Sequence, residues 1–239
     1  KPKKYFDNNV TGTKNLLKAL KNSTVKNFIF SSTAAVYKDG IYRVNEKTRL
    51  KPKSIYGRTK LQSEKLIKKF SKRNKINYAI LRYFNVVGAS RSKKIGQINK
   101  YDLLFKNLSA CVLKKTPNIN IYGNDYKTSD KTCIRDFIHV SDISNIHIKV
   151  LSKIEKTKKS VILNCGYGMG RSVLQVVKSF QKISRKKIKI IFKPRRKADL
   201  AAIISDNRKL KKFINWKARY NNLPSMVKSS INWERKLRL

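Results

Sequence analysis

The stretch Ser54-Ile55-Tyr56-Gly57-Arg58-Thr59-Lys60 decides how the rest of this chain is read. It opens a segment, Tyr56 to about Lys72, that reads as a helix. Four residues along a helix are just over one turn, so Tyr56 and Lys60 project from one face. A free phenol is a poor base near neutrality, with a pKa of about 10. A nearby ammonium favours the phenolate and lowers that value. Tyr-x-x-x-Lys is therefore a way to build a proton acceptor, although in a lysine-rich chain the same spacing also suits a solvated helix face.

The flanks give the stretch its meaning. Upstream, Phe28-Ile29-Phe30-Ser31-Ser32-Thr33-Ala34-Ala35-Val36-Tyr37 is an apolar run, as expected of a buried parallel strand, ending in hydroxyl residues. Ligands of open α/β sheets bind at the carboxyl ends of strands, where Ser31, Ser32 and Thr33 fall. Downstream, Asn77 to Tyr83 is a second strand that leads into Phe84-Asn85-Val86-Val87-Gly88-Ala89. Strand, hydroxyl cluster, Tyr-x-x-x-Lys and a strand ending Arg82-Tyr83-Phe84-Asn85 together resemble the extended short-chain dehydrogenase/reductase family, in its UDP-glucose 4-epimerase branch. The resemblance covers nearly the whole chain. Its most specific part runs from Ile121 to Asp142 and includes Tyr122-Gly123-Asn124-Asp125-Tyr126, Thr132 and Arg135-Asp136-Phe137-Ile138-His139-Val140.

That resemblance implies roles. Tyr56, Lys60 and Thr33 match the catalytic set: phenolate, assisting ammonium, and the hydroxyl that orients the sugar's 4-hydroxyl. Asn8, in Asp7-Asn8-Asn9-Val10, together with Ser31, Ser32, Tyr56, Lys60 and Tyr83, falls where the family holds NAD; Asn8 and Asn9 also suit a purely local backbone role. Thr33, Tyr56, Asn85, Asp102, Tyr122, Arg135, Arg196, Asp199 and Ile203 match substrate positions. Tyr122 would stack on the uracil, Arg135 and Arg196 would grip the diphosphate, and Asp199 would reach the ribose. Asp102 stands where the family pattern has a neutral amide, and Lys131 and Ala198 stand where it has glycine. Ile203 replaces a bulkier wall residue, which implies acceptance of N-acetylated sugars. The implied reaction interconverts UDP-glucose and UDP-galactose by transient hydride transfer to NAD, with no net redox change. Related dehydratases carry an Asp-Glu pair after the Thr; here the pair is Ala34-Ala35, which favours simple epimerisation.

Other readings are structural. His139 reads as a core histidine ahead of an N-cap at Ser141. Gly166-Tyr167-Gly168-Met169-Gly170 lacks dinucleotide-loop spacing and reads as a tight strand-to-helix turn, with Ser172 capping the helix that follows.

The 239 residues hold 58 Lys+Arg against 13 Asp+Glu, a net charge of +45. Such an excess suits a polyanion partner. The lysines are spread over every segment, however, so nucleic-acid binding is the lesser reading, with a basic fragment binding polyanions as the alternative to an enzyme. Three scattered cysteines form neither a disulfide framework nor a metal site, which fits a cytoplasmic protein. No apolar run is long enough for a membrane span. The resemblance also implies a homodimer.

The expected fold is α/β: a partial Rossmann-type, doubly wound parallel sheet with a smaller α/β substrate domain. Residues 1–84 and 137–164 are expected to form the later part of the NAD-binding domain, and 85–136 and 165–239 the nucleotide-sugar domain. The family's Gly-x-x-Gly-x-x-Gly turn is absent from these residues and is expected to precede Lys1.

Overall fold

The computed structural model describes residues 2–98, 103–196 and 199–238. Asp102 and Ala198, both singled out above, lie outside the described residues, as does Lys1. In chain order the elements are α1 (Pro2–Phe6), a π-helical turn (Asp7–Thr11), α2 (Gly12–Leu20), β1 (Asn27–Thr33), a 3-10 turn (Ala34–Val36), β2 (Arg43–Val44) and α3 (Ile55–Asn74). Then come β3 (Asn77–Tyr83), β4 (Asn85–Val87), α4 (Leu104–Val112), β5 (Asn118–Tyr122), β6 (Ile134–His139), α5 (Val140–Thr157) and β7 (Val161–Cys165). The chain closes with β8 (Gly170–Ser172), α6 (Val173–Ser184), β9 (Lys189–Lys193), β10 (Ala202–Ser205), α7 (Arg208–Ile214) and α8 (Leu223–Lys236).

Two compact units emerge: residues 1–84, 145–165 and 205–217, and residues 85–144, 166–204 and 218–239. The division departs from the expected boundaries at three places, the smallest being Cys165, which ends β7 and falls in the first unit. Residues 137–144 belong to the second unit, because β6 pairs through His139 with β4. Residues 205–217 return to the first unit, where α7 packs on β7.

The first unit is built on three parallel strands in the order β1-β3-β7, with Phe30 opposite Ile80 and Ile80 opposite Ile162. Ala79, Ile80, Leu81 and Leu163 are fully buried in it. Ser54 caps α3 by accepting the Gly57 N–H at 3.0 Å, and the helix ends on Lys75 in the left-handed conformation. Beneath α3 lies a dry polar network that the sequence reading missed. Arg82 donates to both oxygens of Glu64, at 3.0 and 2.7 Å, and to Tyr37 Oη at 3.0 Å. Ser32 donates to Glu64 at 2.6 Å, and Tyr37 to Asn164 at 2.6 Å. The ion pair is 1 % and 0 % exposed, a burial that only full pairing makes tolerable.

In the second unit β4, β6 and β10 run parallel, β8 pairs antiparallel with β6, and β5 and β9 form a separate parallel pair. Phe105 packs on Phe137 and Phe180, with ring centroids 5.2 and 5.4 Å apart. The glycine run is indeed a turn: Asp136, wholly buried, accepts the N–H groups of Tyr167 and Gly168 at 2.9 Å each. Ser172 then caps α6 with a capping box to Gln175. Ser141 is not an N-cap, contrary to expectation, since α5 already begins at Val140. His139 does the capping: its Nδ1 accepts the Ser141 N–H at 3.1 Å while its Nε2 meets Ser229 at 3.1 Å. Lys131 adopts φ 60°, so the lysine does occupy a left-handed position suited to glycine.

Candidate active site

In the first unit, the chemistry gathers at the carboxyl end of β1. Thr33 ends the strand, and its Oγ1 accepts the Ala35 N–H at 3.1 Å, turning the chain into the 3-10 segment. The first turn of α3 presses on that segment. A Cβ on Gly57 would stand 2.3 Å from the Ala35 carbonyl oxygen, so only glycine allows the approach. The approach sets the Tyr56 hydroxyl beside Thr33, close enough for the Thr33 side chain to act on the phenol. One turn on, the Lys60 ammonium sits 4.1 Å from the centroid of the Phe30 ring.

The electrostatics differ from the sequence expectation. Burial pushes the Tyr56 phenol up, more than the neighbouring Thr33 side chain lowers it, and Tyr5 adds to the rise. Burial also pushes the Lys60 ammonium down, partly offset by Glu64 two turns from Tyr56 on the same helix face. In the chain by itself, then, desolvation outweighs the help expected from Lys60.

The other expected cofactor residues separate into two groups. Ser31 is exposed and shares a hydrogen bond of 2.8 Å with Tyr83 Oη, which also meets His147 Nε2 at 2.6 Å. Burial raises the Tyr83 phenol to about 12. Ser32 is 2 % exposed and its hydroxyl is committed to Glu64, so it supports the strand from below. Asn8 is exposed on the π-helical turn. Its neighbour Asn9 is structural: its amide donates to Thr59 Oγ1 at 2.9 Å and its carbonyl accepts from Thr13 and Ser63. π-helical turns recur at functional sites.

In the second unit a cavity of about 210 Å³ collects most of the expected nucleotide residues. Asn85, Tyr122, Arg135, Arg196 and Asp199 line it. Arg135 is anchored by the carbonyls of Ile134 and Leu200, at 2.9 and 2.7 Å, and pairs with Asp199 at 3.4 Å. The Arg196 guanidinium lies 3.9 Å from the Tyr122 ring centroid. Ile203 is buried opposite Arg135 in the β6–β10 register and does not line this cavity. Asn107 and Cys133 do line it and were missed, since a lone Asn on a helix and a lone Cys just before a strand carry no pattern.

Among the described residues no group of three or more His, Cys, Asp or Glu could hold a metal ion, and no helix is long and apolar enough to cross a membrane.

Comparison with known proteins gives one consistent picture. Residues 1–166 match the model of the NAD dependent epimerase/dehydratase family. The UDP-glucose 4-epimerase of Lactobacillus helveticus is 36% identical over 239 residues, 98% of this chain and 72% of that protein. The crystal structure of a UDP-glucose-4-epimerase from Stenotrophomonas maltophila with bound NAD and formylated UDP-arabinopyranose superposes with a TM-score of 0.92. It is 32% identical, over 99% of this chain and 71% of that one. The UDP-Glc/GlcNAc 4-epimerase of Campylobacter jejuni superposes with a TM-score of 0.81 at 40% identity, over 98% of this chain and 72% of that one.

Proposed function

The chain belongs to the NAD dependent epimerase/dehydratase family, and we propose that it is the catalytic and nucleotide-recognising part of a UDP-glucose 4-epimerase that interconverts UDP-glucose and UDP-galactose. The observation that carries this reading is the close approach of α3 to the turn after β1, which sets Tyr56 beside Thr33 with Lys60 one helical turn away. A hydroxyl pair so placed can hold a secondary alcohol and remove its proton.

The residues present fit the nicotinamide end of NAD. Exposed Ser31, its partner Tyr83, and Lys60 offer hydroxyls and a cation at the carboxyl ends of two adjacent parallel strands. NAD, when bound, supplies reversible hydride acceptance at the sugar carbon. Thr33 then orients the sugar's 4-hydroxyl, and Tyr56 takes its proton and later returns it. Lys60 favours the phenolate and counters the rise that burial imposes. The second unit contributes nucleotide recognition through Tyr122, Arg135, Arg196 and Asp199. Ala34-Ala35 in the turn beyond Thr33 puts no second acid or base there, which supports epimerisation over dehydration.

Acceptance of the N-acetyl sugars is a finer part of the proposal, supported by the likeness to the Campylobacter jejuni UDP-Glc/GlcNAc 4-epimerase. Turnover of UDP-glucose by the full-length protein without any turnover of UDP-GlcNAc would remove it. For the reaction itself, Tyr56→Phe is expected to lower kcat about 10²- to 10⁴-fold with little change in UDP binding. Unchanged kcat would sink the assignment of Tyr56.

A further inference from the structure

Each arginine of the second unit's cavity is held differently. Arg135 is fixed by two backbone carbonyls. Arg195 is pinned outside the cavity, with its guanidinium paired to Asp125 at 2.5 Å and lying 4.3 Å from the Tyr126 ring centroid. Arg196, the next residue, is exposed, and its guanidinium lies 3.9 Å from the ring centroid of Tyr122, the ring proposed to take the nucleobase. Both side chains line the same cavity, so a base stacking on Tyr122 from inside it and the Arg196 guanidinium compete for one surface.

We infer that Arg196 makes recognition of the nucleoside conditional on the diphosphate. The inference rests on the reading of the substrate as a nucleoside diphosphate sugar. Without phosphate, the guanidinium covers the ring by cation–π stacking, and a bare nucleoside must displace it with nothing in return. A diphosphate gives the guanidinium a better partner, since charge-assisted bidentate hydrogen bonds to phosphate are stronger than a stack at a half-open surface. Moving Arg196 onto the phosphates uncovers the ring for the base. The adjacent Arg195 is already engaged with Asp125 and Tyr126. Arg196 is thereby a specificity-determining residue: it sets diphosphates apart from nucleosides by more than the phosphate contacts alone would do.

The signs of the two effects are opposed, which makes the test sharp. Calorimetric titration of the full chain with UDP and with uridine, on wild type and Arg196→Ala, measures both. Because Arg196 is exposed, its removal leaves the core intact, and thermal melting checks that. The variant should bind UDP about tenfold or more weakly, from the lost charged hydrogen bonds. It should bind uridine more tightly, by about two- to thirtyfold, the range that a cation–π stack spans. Arg196→Lys, which keeps the charge but not the flat face, should recover part of the UDP affinity while keeping a raised uridine affinity. Uridine binding that is unchanged or weaker in Arg196→Ala overturns the inference, the more so if UDP binding falls as expected. Wild type that binds no UDP at all overturns the substrate reading and this inference together, so the two failures are told apart.

Discussion

Arg82 and Arg196 have the same side chain and opposite circumstances. Arg82 is dry, bonded through three nitrogens to Glu64 and Tyr37, and exchanges nothing with solvent. Arg196 is exposed and rests on a ring, and its neighbour in the cavity, Arg135, is held by two backbone carbonyls but reaches its carboxylate only at 3.4 Å. The first arrangement is a commitment that folding makes once. The second leaves cations with contacts that an anionic ligand can outbid. In a chain with so many cations, charge says little about function; what distinguishes a binding arginine is how replaceable its partners are.

The comparison breaks most visibly at Glu64. Glu64→Gln leaves the buried guanidinium without a full counter-charge and is expected to cost about 3–5 kcal/mol in urea denaturation. Replacing the pair together, Glu64→Leu with Arg82→Met, should recover most of that loss, because the desolvation of both charges disappears. A single variant as stable as wild type would show that the pair holds nothing. In the cavity the pattern reverses. Arg135→Ala should cost only about 1 kcal/mol of stability, two backbone hydrogen bonds being lost from a half-open site, yet weaken UDP about tenfold or more in the same titration.

At the β1 end, the Thr33–Tyr56 contact belongs with the replaceable ones. The Thr33 side chain lowers the Tyr56 phenol against the larger rise from burial. Thr33→Val should therefore raise it further and move the alkaline-rising limb of kcat against pH in the full-length enzyme to higher pH. A limb that stays put, or moves down, would remove Thr33 from the proton path. The smallest expected effect concerns Lys131, exposed at φ 60°. Lys131→Gly should relieve left-handed strain and stabilise by about 0.5–1 kcal/mol, the strain relieved being partly offset by glycine's greater loss of freedom on folding. A lower melting temperature would count against strain at that turn.

Much of this was legible in the sequence wherever spacing along one element carried the information. The one-turn offset of Tyr56 and Lys60 and the hydroxyls ending β1 follow from local patterning, whereas the cap at Ser54 came only with the structure. Tyr122, Arg135, Arg196 and Asp199 were legible through the family resemblance instead, and they lie in the other unit. What escaped was settled by the third dimension. Glu64 and Arg82 stand on a helix and a strand 18 residues apart, and nothing in either neighbourhood marks them as partners. The direction of the Tyr56 shift depends on how much water the fold removes, which no motif records. His139 was recognised as structural, but its role as the cap of α5 needed the ring's orientation.

Gly57 gives the reacting pair an unusual kind of insurance. Because the first turn of α3 rests on the Ala35 carbonyl with no side chain between, the interval from tyrosine to threonine is a backbone dimension. Lysines can accumulate on every outward face without altering that gauge, and a single methyl group at Gly57 would spoil it.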